Sequence, residues 1–368
     1  GRLGLILPHK FFNAEYGEPL RGLIAEGKHL AGVVHFGHQQ IFGQATTYTC
    51  LLFLNKAATN VCRFTRVNDL DAFASGIPND DAHDLPAQGV TAAAWNFAEG
   101  EAGALFERLM GMPTKLGKVA RIFQGLITGA DKVYVLQTLG PAKSGKLPVR
   151  DAEGVEWNLE ADLLKPFLFK VSLQSHARPQ AGHWLLFPYD LDGGKAKLIP
   201  AEAMARRYPE AWRYLQSKSA PLKRREGGKW NHAYWHAFGR TQNLAAFESP
   251  KLVVQVISMT GRYAFDDAGR YFTGGGNGPY YGVRWQDSDN PHSLLYLSGL
   301  LNSRLLDSCL HRVSSPFRGG YWSYGKRYIE QLPIRTIDFS DPADRAHHDK
   351  TVKLVESMLK LHEQLAAA

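Results

Sequence analysis

Residues 1–36, GRLGLILPHKFFNAEYGEPLRGLIAEGKHLAGVVHF, decide how the fold is read. The apolar run Leu3–Leu7 has the length of a buried strand and stops at Pro8, which has no N–H to continue a ladder. Residues 13–27 are expected to be helical, and LAGVVHF (30–36) reads as a second apolar strand. A third strand, TYTCLLFLNK (47–56), carries the β-branched and aromatic residues that strands favour. Strand, helix and strand with short joins make the βαβ unit of a parallel sheet, so the chain reads as α/β. One such unit cannot cover both faces of a sheet. The abrupt start at Gly1-Arg2 and the end at Ala366-Ala367-Ala368 therefore lead us to expect a piece of a longer protein.

A chain of 368 residues is long enough for two domains, and 44% hydrophobic with 21% charged residues argues against disorder. The net charge of +8 suits a nucleic-acid partner but also many plain enzymes, so the position of the charges is the better guide. The three cysteines, Cys50, Cys62 and Cys309, are odd in number and lack metal-ligand spacing. Neither a disulfide framework nor a zinc ribbon is expected, and a reducing cytoplasmic setting is. No apolar run reaches the roughly 20 residues a membrane span needs.

From 57 to 112 the composition turns acidic, with Asp69, Asp71, Asp80, Asp81, Asp84, Glu99, Glu101 and Glu107. This reads as a linker with a short helix near 101–110. A new globular region begins around Lys115. Within it, ARIFQGLITGADKVYVL (120–136) looks like a hairpin, 201–218 a helix and PKLVVQVIS (250–258) a buried strand. HSLLYLSGLLNSRLLDSCL (292–310) reads as one apolar helix and IEQLPI (329–334) as a short strand. Beyond 342, Leu354, Met358, Leu361 and Leu365 recur at steps of four and three, a helical seam suited to packing on another helix.

Several motifs can be set aside. FTGGGNG (272–278) is followed by a proline and β-formers, so no helix N-terminus stands ready for a cofactor phosphate; a tight loop is the better reading. Asn290-Pro291-His292-Ser293 reads as a helix cap, and Asp266-Asp267 before Gly269 as a turn. His35, His38, His347 and His348 have no neighbours to complete a metal set, and no Ser-His-Asp arrangement stands out.

Two basic zones remain. Arg206, Arg207, Arg213, Lys218, Lys223, Arg224, Arg225 and Lys229 lie between 204 and 232, opposed in sequence only by Glu210 and Glu226, with Trp212, Trp230 and Trp235 among them. The second surrounds SSPFRGGYWSYGKRY (314–328), with Arg312, Arg318, Lys326, Arg327 and Arg335 interleaved with Tyr321, Trp322 and Tyr324. Cations interleaved with aromatics suit a surface that grips a nucleic-acid backbone.

Taken together, these pieces resemble the C-terminal part of the Eco57I-like and TaqI-like DNA adenine-N6 methyltransferases, which include single-chain type IIG restriction–modification enzymes. GRLGLILPHKFFNAEYGEPLRGLI is similar to the strand and helix that follow the family's Asn-Pro-Pro-Tyr motif, and GHQQIFGQATTYTCLLFLNK to the next block. IFQGLITGADKVYVL, LLKPFLF, SPKLVVQVIS, LLYLSGLLNSRLL and GGYWSYGKRYIEQLPI resemble successive landmarks of its target-recognition domain.

The resemblance implies a C-terminal remnant of a Rossmann-like methyltransferase sheet, an α/β target-recognition domain and a terminal helix. The expected boundaries are 1–56 for the catalytic part, 57–114 for a linker, 115–338 for the recognition domain and 339–368 for the helix. It implies double-stranded DNA as partner, and a target adenine flipped out of the duplex to be reached. Phe42 would be the aromatic that stacks on that base. Arg318, Tyr321, Tyr324, Lys326 and Arg327 on one loop, Thr128, Asp131 and Lys132 on a turn, and Arg224 and Arg225 are the expected DNA contacts. The S-adenosylmethionine glycine motif and Asn-Pro-Pro-Tyr are both missing from the sequence. S-adenosylmethionine is therefore expected in the full-length parent and not on this chain, which would need an N-terminal catalytic region in cis to be active. The alternative is a specificity subunit whose Leu354–Leu365 seam recruits separate modification or nuclease chains.

Overall fold

The structure, a computed structural model, describes the chain except residues 38, 40, 44–46, 78–80, 96, 98–99, 275–278, 288–289 and 368, and the side chains of 100–102 and 367. His38, Asp80, Glu99 and most of the FTGGGNG stretch thus lie outside the described residues. The fold is mixed α/β and divides into two compact units. One comprises Gly1–Leu116, Ile257–Thr260 and Arg304–Ile334, the other Gly117–Val256, Gly261–Ser303 and Arg335–Ala368.

The first unit holds a five-stranded sheet of β1 (Arg2–Pro8), β2 (Leu30–His35), β3 (Thr49–Asn55), β4 (Val61–Arg66) and β5 (Ala82–Pro86), in the order β1-β3-β2-β4-β5. The expected strand–helix–strand unit forms, its helix being Glu18–Glu26 after two short 3-10 turns. β1 and β2 are not neighbours, however. β3 runs antiparallel to both and lies between them, and β2 pairs in parallel with β4. Phe11, Phe12, Ile24, Val33, Cys50, Leu52, Cys62, Phe64 and Trp95 form its core.

Two expectations are corrected here. β1 is not buried: among the described residues it is an edge strand paired only with β3, and Leu3 (52%), Leu5 (41%) and Ile6 (50%) are exposed. The stretch 57–114 is not merely a linker, since β4 and β5 complete the sheet. Its acidic residues mark the surface of a folded segment. Asp69 caps the helix Leu70–Ala74, accepting from the Asp71 and Ala72 amides, and Asp84 pairs with Arg63 at 3.0 Å across β4 and β5. The buried Arg21 guanidinium donates to the carbonyls of Phe11, Ala14, Ala92 and Ala93 at 2.6–2.9 Å and ties residues 92–93 to the first helix.

The expected 115–338 boundary also shifts, because Ile257–Ser258 pairs with Tyr321–Ser323, which pairs with Pro316–Phe317. The Leu116 amide donates to Leu332 O (2.8 Å) and the Ile334 amide to Thr114 O (3.0 Å). Residues 329–334 pass through this contact without forming a strand.

The second unit contains a six-stranded sheet in the order Tyr271–Phe272, Leu164–Leu168, His183–Leu186, Val135–Thr138, Lys146–Arg150, Glu156–Glu160. A four-stranded antiparallel sheet orders Tyr263–Asp266, Lys251–Gln255, Tyr280–Trp285 and Ala120–Gln124. Tyr134, Phe167, Phe187, Phe238, Phe247, Tyr271 and Phe272 fill the core. Residues 120–136 are therefore no hairpin, since their two strands belong to different sheets. The chain is drawn away at Gly125, where a Cβ would lie 2.3 Å from the Thr273 carbonyl carbon, and at Leu126, whose amide donates to Phe272 O at 3.0 Å.

The expected helix 201–218 is two, Ala201–Arg207 and Pro209–Ser217, because Pro209 starts a new one. The expected helix 292–310 also breaks, into Leu294–Leu301 and Arg304–Val313. At the break the Asn302 side chain bonds both the N–H and the carbonyl of Tyr263, at 2.9 and 3.0 Å. Ser293 caps the first of these helices as expected, its Oγ accepting from Leu295 N at 3.1 Å. Asp266 shapes the expected turn, its carboxylate accepting the Ala268 and Arg270 amides. The terminal helix, Pro342–Ala367, buries Val355 and Leu359 and leaves Leu354, Met358, Leu361 and Leu365 exposed. Among the described residues, no helix is long and apolar enough to cross a membrane, and no group of three or more His, Cys, Asp or Glu could hold a metal ion.

His35, at the end of β2, lies against His9 with ring centroids 4.4 Å apart, and its Nδ1 accepts from Gly37 N at 3.1 Å. Burial, with His9 and Arg66 nearby, pushes its pKa down to about 3. Below pH 6.5 the unfolded chain takes up a proton that the folded ring refuses, so stability falls as pH drops from about 6.5 toward 3. We predict that this ring alone accounts for about 2 kcal/mol of stability lost between pH 7 and pH 5. Urea titrations at the two pH values should show a smaller loss in His35→Gln. An equal loss in both proteins contradicts the assignment.

Candidate nucleic-acid interface

In the first unit, SSPFRGGYWSYGKRY folds as a hairpin with a three-residue tip. Pro316–Phe317 pairs with Tyr321–Ser323, and Arg318, Gly319 and Gly320 make the turn. Gly319 and Gly320 have φ of +81° and +79°, values that non-glycine residues rarely adopt, so the reversal depends on them. The base is tied down by Ser314 Oγ donating to Ser323 O at 2.5 Å and Ser323 N to Ser315 O at 3.2 Å. Ile257–Ser258 pairs along the outer side of Tyr321–Ser323.

This geometry separates the loop residues expected to touch DNA. Arg318, Tyr321, Lys326 and Arg327 are exposed, and among the described residues no carboxylate pairs with Arg318 or Lys326. Arg327 lies over the Tyr328 ring, 4.4 Å from its centroid, and donates to the Tyr328 hydroxyl. Tyr324 is a correction. It is 1% exposed, its hydroxyl donates to Asp307 at 2.6 Å and meets His311 Nε2 at 3.1 Å, so it is a strut inside the fold. Trp322 stacks on His311 with centroids 4.5 Å apart and planes at 11°. Phe42, in the segment after β2, is 43% exposed.

The second unit holds the other expected contacts, and here more of the reading changes. Thr128 is fully buried; its hydroxyl bonds the Asp131 carboxylate and accepts from Ala130 N at 3.0 Å, which shapes the turn. Asp131 and Lys132 are exposed on that turn. Arg225 is a brace. Its guanidinium donates to the carbonyls of Leu222, Thr128, Trp235 and Ala237 at 2.6–3.0 Å and stacks on Trp230 at 4.1 Å. Four of its five N–H donors are thus committed to the main chain, which makes it a part of the fold before it is a contact for phosphate.

Three neighbouring cations are engaged too. Arg207 makes a two-pronged pair with Asp190, both contacts 2.8 Å; Lys218 pairs with Asp151 and Glu153, and Arg213 with Glu210. Counting nearby acids in the sequence missed Asp151, Glu153 and Asp190, which the fold brings in from other strands and turns. Trp235 is buried, and Trp212 lies against it with centroids 5.4 Å apart, so these tryptophans serve the core. Of the expected pair, only Arg224 presents its charge outward.

Arg225→Ala should therefore lower the unit's stability by about 2–3 kcal/mol, since it strips partners from buried carbonyls. Arg224→Ala should stay within about 0.5 kcal/mol of the parent. Chemical denaturation distinguishes them, and equal effects would contradict the brace.

No family model matches the chain. It is 26% identical over 385 aligned residues to the type II restriction enzyme and methyltransferase RM.Eco57I of Escherichia coli, covering 99% of this chain and 38% of that protein. With the type II methyltransferase M.PaeR7I of Pseudomonas aeruginosa it shares 23% identity, covering 96% of this chain and 59% of that one. Among solved structures, it superposes on the type IIL restriction-modification enzyme MmeI, solved in complex with DNA, with a TM-score of 0.53. That likeness, at 10% identity and covering 95% of this chain and 41% of MmeI, is one of fold. The chain thus spans 38% and 59% of the lengths of these two curated relatives. The chain is therefore similar over almost its whole length to type II restriction enzymes and methyltransferases, the class of protein that the sequence resembles.

Proposed function

We propose that the chain is the duplex-DNA recognition portion of an S-adenosylmethionine-dependent adenine-N6 DNA methyltransferase, acting in a restriction–modification or phage-defence system. The match to RM.Eco57I over 99% of the chain is the observation that carries this reading. Residues 1–56 would be the last strands of the catalytic sheet, with β4 and β5 continuing it. The second unit would supply target recognition, and the hairpin of residues 314–328 in the first unit would make a DNA contact of its own.

S-adenosylmethionine would bind to the remainder of the parent protein, which would also carry the Asn-Pro-Pro-Tyr motif. The chain alone would then not methylate DNA. The exposed edge of β1, with Leu3, Leu5 and Ile6 uncovered, suits pairing with further strands of that catalytic region in cis. Phe42 would stack on the flipped adenine; its exposure fits that role.

In the first unit, Arg318 at the hairpin tip and Lys326 and Arg327 at its foot carry the DNA contact, with Tyr321 as a further exposed candidate; in the second unit, Lys132 and Arg224 are the exposed candidates. Replacing Arg318 and Lys326 together by alanine should weaken duplex binding. It should also flatten the plot of log affinity against log salt by about 1.8, as two phosphate contacts are lost. An unchanged slope in fluorescence-anisotropy titrations contradicts these contacts.

A second reading, a specificity subunit that recruits separate modification or nuclease chains, is favoured by one observation. Leu354, Met358, Leu361 and Leu365 form an exposed stripe on the terminal helix, with Leu365 at 76%. If that reading is right, Leu354→Glu with Leu361→Glu abolishes association with a partner chain and leaves DNA binding intact. A monomer in both proteins, by analytical ultracentrifugation, counts against it.

A further inference from the structure

The first unit contains a cavity of about 290 Å³ beyond the ends of β1, β2 and β4, which no residue of the DNA-contact set lines. Phe12, Phe64, Trp95 and Trp322 supply flat aromatic faces, and Arg66 and Arg312 supply the charge. Among the described residues, no carboxylate lines it. Its volume falls at the lower limit of about 300 Å³ for small-molecule sites, too small for a peptide helix and sufficient for one nucleotide. His9, which lines it, is nine-tenths buried, and among the described residues its Nδ1 has no hydrogen-bond partner. A buried polar atom without a partner costs stability, so its presence in a cavity wall points to a ligand that satisfies it.

The walls are firmly set. Phe64 stacks with Phe97 at 4.6 Å and 11°, Trp322 with His311, and the Arg312 guanidinium lies over Phe106 at 5.0 Å. Aromatic faces in a fixed arrangement recognise a flat ring whatever its sequence context, and guanidinium groups recognise phosphate. From these features the geometry points to a nucleotide-binding subsite, apart from Phe42, that takes a planar nucleobase between the aromatic walls with its phosphate toward Arg66 and Arg312. The ligand is either a free nucleoside monophosphate or a single unpaired nucleotide of DNA. The inference does not rest on duplex recognition by the hairpin.

Calorimetric titration of this chain with deoxyadenosine and thymidine 5′-monophosphates tests it. We expect binding by a nucleotide, weaker by tenfold or more for the nucleoside lacking phosphate. Arg66→Gln and Arg312→Gln should each weaken the nucleotide at least fivefold, with unfolding curves matching the parent. Arg318→Ala should leave it unchanged. Two results overturn the subsite: neither a nucleotide nor a DNA duplex with one bulged nucleotide displaces the other or binds, or both glutamine variants bind as the parent does. Benzoate binding as tightly as the nucleotides overturns the nucleotide class. Competition by the bulged duplex assigns the site to DNA, and binding of free nucleotide without such competition assigns it to a small-molecule effector. Loss of plain-duplex binding with nucleotide binding kept would count against the recognition reading alone.

Discussion

The hairpin between Phe317 and Tyr321 reverses in three residues because Gly319 and Gly320 accept backbone angles that side-chain-bearing residues resist. That constraint sets where Arg318 can be. Beneath the tip, Ser314, Tyr324 and Asp307 bind the hairpin's foot to the helix Arg304–Val313 through hydrogen bonds of 2.5 and 2.6 Å. Ile257–Ser258 holds its outer strand. A cation on a short, anchored turn loses little freedom when it meets a phosphate or a base edge, whereas one on a long loop would lose more. The account of DNA contact in the first unit depends on this small three-stranded sheet.

The five-stranded sheet obeys a different constraint. β3 enters between β1 and β2 in the opposite sense, so the two strands joined by the first helix are parallel but never touch. β1 is left as an edge with apolar side chains uncovered on both faces, an arrangement that soluble proteins normally protect. The curated relatives are longer than this chain, with 38% and 59% of their lengths matched, and a catalytic region in the parent is the covering that the proposed function supplies.

Much of this was legible in residues 1–56, where strand-length apolar runs, Pro8 and the βαβ order gave the α/β class. The insertion of β3 was not, because alternating and continuous apolar patterns identify strands without their neighbours. The acidic stretch 57–114 misled because Asp69 and Asp84 are surface groups on folded elements. Within the candidate interface, the exposure of Arg318 and Lys326 was readable because glycines and small polar residues surround them. Tyr324, Thr128 and Arg225 were not: each resembles a contact residue in one dimension. Only the fold shows their polar atoms satisfied by Asp307, Asp131 and four main-chain carbonyls. His9 and Arg66, far apart in sequence from Trp322, gave no local signal of the cavity they share.

The central claim is that the hairpin tip meets duplex DNA. Hydrogen–deuterium exchange of the chain with and without duplex DNA, at sub-second labelling times, reads it directly. Slower exchange at the amides of residues 317–321 and 326–327 is the result this account predicts. Unchanged exchange across residues 314–328 at saturating DNA would contradict it.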